Sequence, residues 1–229
     1  MVNTFVTISS GDMSFSARTL DRQRLGKQRV EAQQILTCIE QLSFLAELFG
    51  LPSFPENVNT SPEVRGSWIK NVLGKFKSQQ IYAVEVRGGH CWYHKTKPSN
   101  VSGELITTGF KSHPCVRMWL GFKTGLKYYI NCHIQEWIRR GYQNTMKQYP
   151  EAETIYPYWC FDENVIDAFR SNLMEKELVR NEPTWYAQME AFPRSFAGNR
   201  YDEFLYYLPS RDLSKLYRCR ERVKEYIWC

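Results

Sequence analysis

Most features that would announce a function at sight are missing from these 229 residues. No stretch approaches the roughly 18 consecutive apolar residues that a membrane-spanning helix requires, so no membrane span is expected. There is no glycine-rich phosphate loop and no dinucleotide fingerprint, which leaves nucleotide-dependent chemistry without its usual backbone cradle. No Cys-x-x-Cys pair occurs either. The nearest approach to a metal set, His90, Cys91 and His94 with His113, Cys115, Cys132 and His133, lacks the paired spacing of a structural zinc site and reads as neighbours in a hairpin and a packed helix. No metal and no cofactor are therefore expected. The opening MVNTFVTISS has no basic flank leading into an apolar segment, so it does not read as a secretory leader. Cys38, Cys91, Cys115, Cys132, Cys160, Cys219 and Cys229 are odd in number and scattered, which suits reduced thiols in an intracellular compartment, cytoplasm or nucleoid.

What is present is the mixture of a folded protein, 43% hydrophobic and 24% charged, with a length that fits one domain. The net charge of +6 is modest, and its distribution says more than its size. Arg18, Arg22, Arg24, Lys27 and Arg29 fall within about three helical turns, with Asp21 alone to oppose them.

Periodicity predicts a mainly α fold, a compact bundle of three main helices with a small β-hairpin insertion. The first helix, about 16 to 49, follows a short arm in which Ser14 and Ser16 are candidate caps; Leu25, Ala32, Leu36, Ile39 and Leu45 form its apolar stripe, which puts the basic patch on the solvent side. Pro52 and Pro55, with Pro62 at the edge, make 51 to 61 a loop, and 62 to about 79 fits a short helix. QQIYAVEVRGGHCWYHKT reads as strand, Gly-Gly turn and strand, and 97 to 109 as loop. The second long helix, about 114 to 140, opens on Pro114 and closes at Gly141, with Met118, Trp119, Phe122, Leu126, Tyr129, Ile130, His133, Ile134 and Trp137 as its stripe. A Pro- and Tyr-rich loop leads to a third helix, about 162 to 180, capped by Asp162 and followed by the aromatic loop Pro183 to Tyr186. Another helix is expected around 211 to 226.

Glu31 is the first carboxylate after the arginines, two residues past Arg29 and four past Lys27. On spacing alone it reads as an exposed helix salt bridge worth under about 1 kcal/mol. A carboxylate at the floor of a phosphate-binding surface is the sharper alternative.

Four collinear blocks favour the second. LDRQRLGKQRVEAQQIL (Leu20 to Leu36), SHPCVRMW with HIQEWIRRGY, FRSNLMEK (Phe169 to Lys176) and PTWY (Pro183 to Tyr186) are similar to the pyrimidine-dimer DNA glycosylases of phages and bacteria, in particular the longer bacterial branch. The blocks cover somewhat under half of the chain. About 50 to 110 reads as an insertion and about 190 to 229 as a C-terminal extension on a single glycosylase-like domain, 1 to 229.

The resemblance implies a base-excision glycosylase with abasic-site lyase activity on double-stranded DNA containing damaged or modified pyrimidines, working as a monomer. It places the family's essential glutamate on Glu31, where an anion would stabilise oxocarbenium-like charge on the sugar. The family's nucleophile is an amine that forms a Schiff base with the deoxyribose. An α-amino group suits this role, because near pH 7.5 roughly a third of it is neutral, against about a thousandth of an unperturbed lysine. The phage enzymes expose a threonine amine; this chain begins Met1-Val2-Asn3-Thr4, so the candidates are the amines of Met1 or Val2, or Lys27. For DNA binding the resemblance implies Arg22, Arg24, Lys27 and Arg29, with Lys176 and with Arg170 standing in where the family arginine position holds Asn172. Trp185 and Tyr186 are candidates for stacking on displaced bases, with core packing as the alternative for Trp185. Arg139 and Arg140 read as complements to a helix C-terminus. Two other functions stay open: a non-catalytic DNA-binding protein of the same fold, and a glycosylase acting on a modified base or on RNA.

Overall fold

An aspartate divides what the periodicity joins into one helix. In the computed structural model, which describes residues 11–76, 82–86, 90–94, 103–105, 109–162 and 166, helix α1 runs over Met13–Thr19 and α2 over Arg22–Leu48. Leu20 between them is extended (ψ 139°). Asp21 then caps α2, its carboxylate accepting from the Arg24 backbone N–H at 2.9 Å. The cap of α1 is Asp12, through Phe15 N–H at 2.7 Å, and not Ser14 or Ser16.

The second long helix is also two. Helix α3 (Pro62–Phe76) precedes them, and the predicted 114 to 140 helix divides into α4 (Pro114–Trp119) and α5 (Lys123–Arg139). Gly121 makes the break at φ +87°, where the backbone lies so close to the 54–57 loop that a Cβ would sit 2.8 Å from the Pro55 carbonyl oxygen. A turn set by a partner 66 positions away leaves no local signal. The end of α5 lies where the sequence puts it, with Gly141 at φ +83° just beyond.

Both apolar stripes face inward. Leu25, Ala32, Leu36, Ile39 and Leu45 of α2 are fully buried, as are Trp119, Phe122, Leu126, Ile130 and Ile134 of the α4–α5 pair. Helix α3 adds Ile69, Val72 and Phe76, and Trp159 from a 3-10 turn (Tyr158–Phe161) meets Trp119 edge-on at 5.0 Å between ring centres. Met13 and Ala17 of α1 are buried in the same core, which all five described helices share.

The described fold is mainly helical. Beside the helices, the backbone of β1 (Tyr82–Val86) pairs antiparallel with β2 (His90–His94) on one side and with β3 (Gly103–Leu105) on the other, so part of the stretch read as loop from 97 to 109 is extended and paired. Of the predicted third helix only two positions are described: Asp162 closes the 3-10 turn, and its carbonyl accepts from Ile166 N–H at 3.0 Å. The remainder of that helix, the PTWY loop and the expected 211 to 226 helix lie outside the described residues. None of the described helices is long and apolar enough to cross a membrane.

Candidate functional site

The first three turns of α2 carry the cations, and helical geometry distributes them over two flanks of the buried stripe. At 100° per residue, Glu31 shares a side with Arg24, Lys27 and Gln28, while Arg22 and Arg29, seven apart, lie together on the other side. The structure thus brings Glu31 and Lys27 together at one helical turn. Arg22 stands about 13 Å further down the axis and on the opposite flank.

The Glu31 flank is lined by a polar interior. Glu31 is half-buried and Lys27 is exposed. One turn before Glu31, Gln28 is buried and accepts through its side-chain carbonyl from the hydroxyl of Tyr129 on α5 at 2.9 Å. Burial pushes the Tyr129 phenol well above its ordinary range, and the Glu31 carboxylate is close enough to add to that rise. His133 stacks on the Tyr129 ring at 4.0 Å and is itself fully buried. A carboxylate here borders water on one side and buried polar groups on the other, where an anion is less screened than on an open surface and acts more strongly on a nearby developing cation.

Arg24 departs from the expectation of a solvent-facing patch. It is buried and paired with the Asp21 carboxylate, which also caps α2, so its charge is largely spent inside the fold. Arg29 is half-buried as well. Its guanidinium lies 4.2 Å over the Trp137 ring and donates to Asn144 Oδ1 at 3.0 Å, while burial pulls its pKa below the ordinary arginine value. Of the four α2 cations assigned to DNA, Arg22 and Lys27 are the exposed ones.

The Arg22 flank is built against the end of α5. Arg22 lies 5.0 Å over the Tyr142 ring, which packs on Trp137 at 4.4 Å, so the two rings lie between Arg22 and Arg29. Gly26 lets Trp137 lie on α2, since a Cβ there would stand 3.1 Å from the indole. Nearby, the buried Glu136 carboxylate is held by both Arg139, at 2.6 and 2.8 Å, and Arg140, at 2.6 Å. Burial alone would raise Glu136, but the hydrogen bonds from the two arginines outweigh it and hold the carboxyl below its usual range. Arg140 also donates to the carbonyls of Leu20 and Arg18, each at 2.8 Å, which fixes the α1–α2 junction to α5. These two arginines stand at the C-terminal end of α5, as the dipole reading expects, and there both also meet a carboxylate, with two carbonyls added for Arg140. The Glu136-x-x-Arg139-Arg140 spacing held that signal, since positions three and four apart share a helix face. Nothing in the sequence marks Asn144 or the Gln28–Tyr129 pair.

Met1, Val2, Arg170, Lys176, Trp185 and Tyr186 lie outside the described residues. Among the described residues, Cys38, Cys115, Cys132 and Cys160 form no disulfide. Among the described residues no group of three or more His, Cys, Asp or Glu is placed to hold a metal ion.

Against known proteins, the family described as pyrimidine dimer DNA glycosylase matches residues 2–150. The chain belongs to that family, whose description names a DNA glycosylase activity and DNA as substrate. No curated protein and no solved structure gives a significant match.

Proposed function

We propose that the protein excises pyrimidine dimers, or related damaged or modified pyrimidines, from double-stranded DNA and then cleaves the abasic strand through an amine Schiff base. The observation that carries this is the half-buried Glu31 on the Lys27 flank of α2, inside the segment matched to the family. In the first step the amine nitrogen bonds to the sugar C1′ and the base departs with the electron pair of the glycosidic bond. Glu31 stabilises the positive charge that builds on the sugar and accepts the proton the amine loses. The C1′–O4′ bond then breaks as O4′ takes up the proton that Glu31 accepted, leaving an iminium at C1′; its electron demand acidifies C2′, loss of a C2′ proton expels the 3′ phosphate by β-elimination, and water hydrolyses the Schiff base to free the amine. The amine is that of Met1 or Val2, or the side chain of Lys27. Lys27 and Arg22 hold phosphates beside the lesion, with Arg24 and Arg29 behind them and with Arg170, Lys176, Trp185 and Tyr186 completing the DNA surface. The protein works as a monomer on one domain, with an insertion at about 50 to 110 that carries a small hairpin and an extension at about 190 to 229.

Borohydride trapping on a duplex containing a pyrimidine dimer or an abasic site tests this directly. A covalent protein–DNA adduct is expected, and peptide mass spectrometry of it names the amine. Glu31→Gln is expected to lower turnover by roughly 10²- to 10⁴-fold with affinity retained. Intact binding with neither adduct nor nicking would instead make the chain a non-catalytic DNA-binding member of the family.

A further inference from the structure

We propose that Arg139 and Arg18 extend the backbone contact of Arg22 into a second DNA-backbone site, one that grips the duplex independently of the lesion. The site lies at the junction of α1, α2 and the end of α5, on the flank of α2 away from Glu31. The proposal rests on DNA as the substrate and adds a grip separate from the catalytic carboxylate.

Charge is the first reason. Four arginines belong to this junction, Arg18, Arg22, Arg139 and Arg140, against the Glu136 carboxylate, while Arg24 on the other flank of α2 is neutralised by Asp21. Among the described residues this leaves a surplus of three positive charges. Arg24 and Arg140 are consumed internally, by Asp21 and by Glu136 with two carbonyls. Arg18, Arg22 and Arg139 are the exposed ones.

Preorganisation is the second reason. Arg139 keeps 67% of its side chain exposed even though its Nε and one Nη bond the nearly inaccessible Glu136 carboxylate. The clasp uses one edge of the guanidinium and turns the other Nη to solvent, where it can donate to a phosphate oxygen. Arg22 is held over the Tyr142 ring at 5.0 Å, and Arg18 lies 5.9 Å from the Phe15 ring centre. Fixed guanidinium groups lose less freedom on meeting a phosphate than free side chains do, so this arrangement suits anion capture better than an exposed cation of equal charge. A tracked DNA backbone is the polyanion the family's substrate supplies.

Fluorescence anisotropy of the full chain on duplex DNA across a salt series reads the site, with one oligonucleotide undamaged and the other carrying a tetrahydrofuran abasic analogue. Arg139→Gln should flatten the slope of log affinity against log salt by about 0.9, one phosphate contact, equally on both duplexes. At saturating substrate its turnover should stay at the wild-type rate, so the loss falls on KM alone. Arg139→Lys keeps the slope and lowers the affinity, because charge remains but the clasped geometry is lost. Lys70→Gln, which removes an exposed charge from α3, controls for net charge. A slope for Arg139→Gln no flatter than that of Lys70→Gln, or a defect confined to the abasic duplex, overturns the second grip while leaving the family chemistry in place. A wild-type chain that binds neither duplex would overturn the DNA-substrate reading itself.

Discussion

The two halves of α2 are one continuous helix with different interiors. From Ile35 onward the buried residues are Ile35, Leu36, Ile39, Leu42, Leu45 and Ala46, all apolar. Before that, the same buried side carries Arg24 and Gln28 beside Leu25. An apolar interior asks only for shape, because transfer from water is already favourable. A buried arginine and a buried amide each need a partner, and here they have Asp21 and Tyr129. Polar burial is retained where it costs the most to arrange, on the half that carries Glu31. On the proposed role of Glu31, the apolar half serves stability and the polar half serves the chemistry.

The largest expected effect on stability lies in the apolar half. Leu36 is completely inaccessible, so Leu36→Ala removes its transfer energy and leaves a cavity, for a loss of about 2–5 kcal/mol. Urea unfolding measures it, and turnover per folded molecule should be unchanged. A comparable fall in the turnover of the folded fraction would break the division between the halves.

A second effect comes from the histidine under the polar half. His133 Nδ1 lies 2.8 Å from the Tyr129 carbonyl, which an N–H there satisfies, and the buried Nε2 has no hydrogen-bond partner among the described residues. Burial pushes its pKa down from 6.5 to about 4, against the opposing pull of the Tyr129 carbonyl hydrogen bond and, after it, of the Glu136 charge. The folded state thus disfavours the charged ring. Its contribution is fully present above pH 6.5 and is lost as the pH falls toward 4, by about 3 kcal/mol over the full span. His133→Gln should remove that component, so the difference between unfolding free energies at pH 7 and pH 4.5 should shrink in the variant. Equal acid sensitivity in the two proteins would show that the ring is not held neutral.

The division also explains what the sequence discloses. The stripes of α2 and α5 are legible because helix period and apolar burial act at every turn, so Leu25 to Leu45 and Trp119 to Ile134 fall inside as expected. The breaks at Asp21 and Gly121 are not, since each depends on one cap or one close approach by a distant loop. The burial of Arg24 hides for the same reason: a cation three residues after an aspartate looks like any surface pair until the helix start is known. At the candidate site, spacing alone leaves Glu31 an ordinary salt bridge and only the family blocks promote it. The two-flank division of the arginines follows from the wheel once α2 is known to begin at Arg22, whereas Tyr142 and Trp137 as the plates beneath them required the coordinates.

The smallest of these effects on stability, and the sharpest for the comparison, is Tyr129→Phe. The hydroxyl bridges α5 to α2 in a fully buried position, and Phe preserves the ring, its stack on His133 and its contact with Trp119. Removing it deprives the buried Gln28 carbonyl of that donor, for a loss of about 1–3 kcal/mol, at or below the Leu36→Ala range. Gln28 is one turn from Glu31, so a freed amide shifts the carboxylate's surroundings as well as the helix contact. Turnover of the folded fraction should therefore fall for Tyr129→Phe and hold for Leu36→Ala, with the two variants compared at temperatures well below their melting points. If Tyr129→Phe loses stability yet turns over at the wild-type rate, the polar burial of the first half is structural only, and Glu31 works without support from the residues packed beneath it.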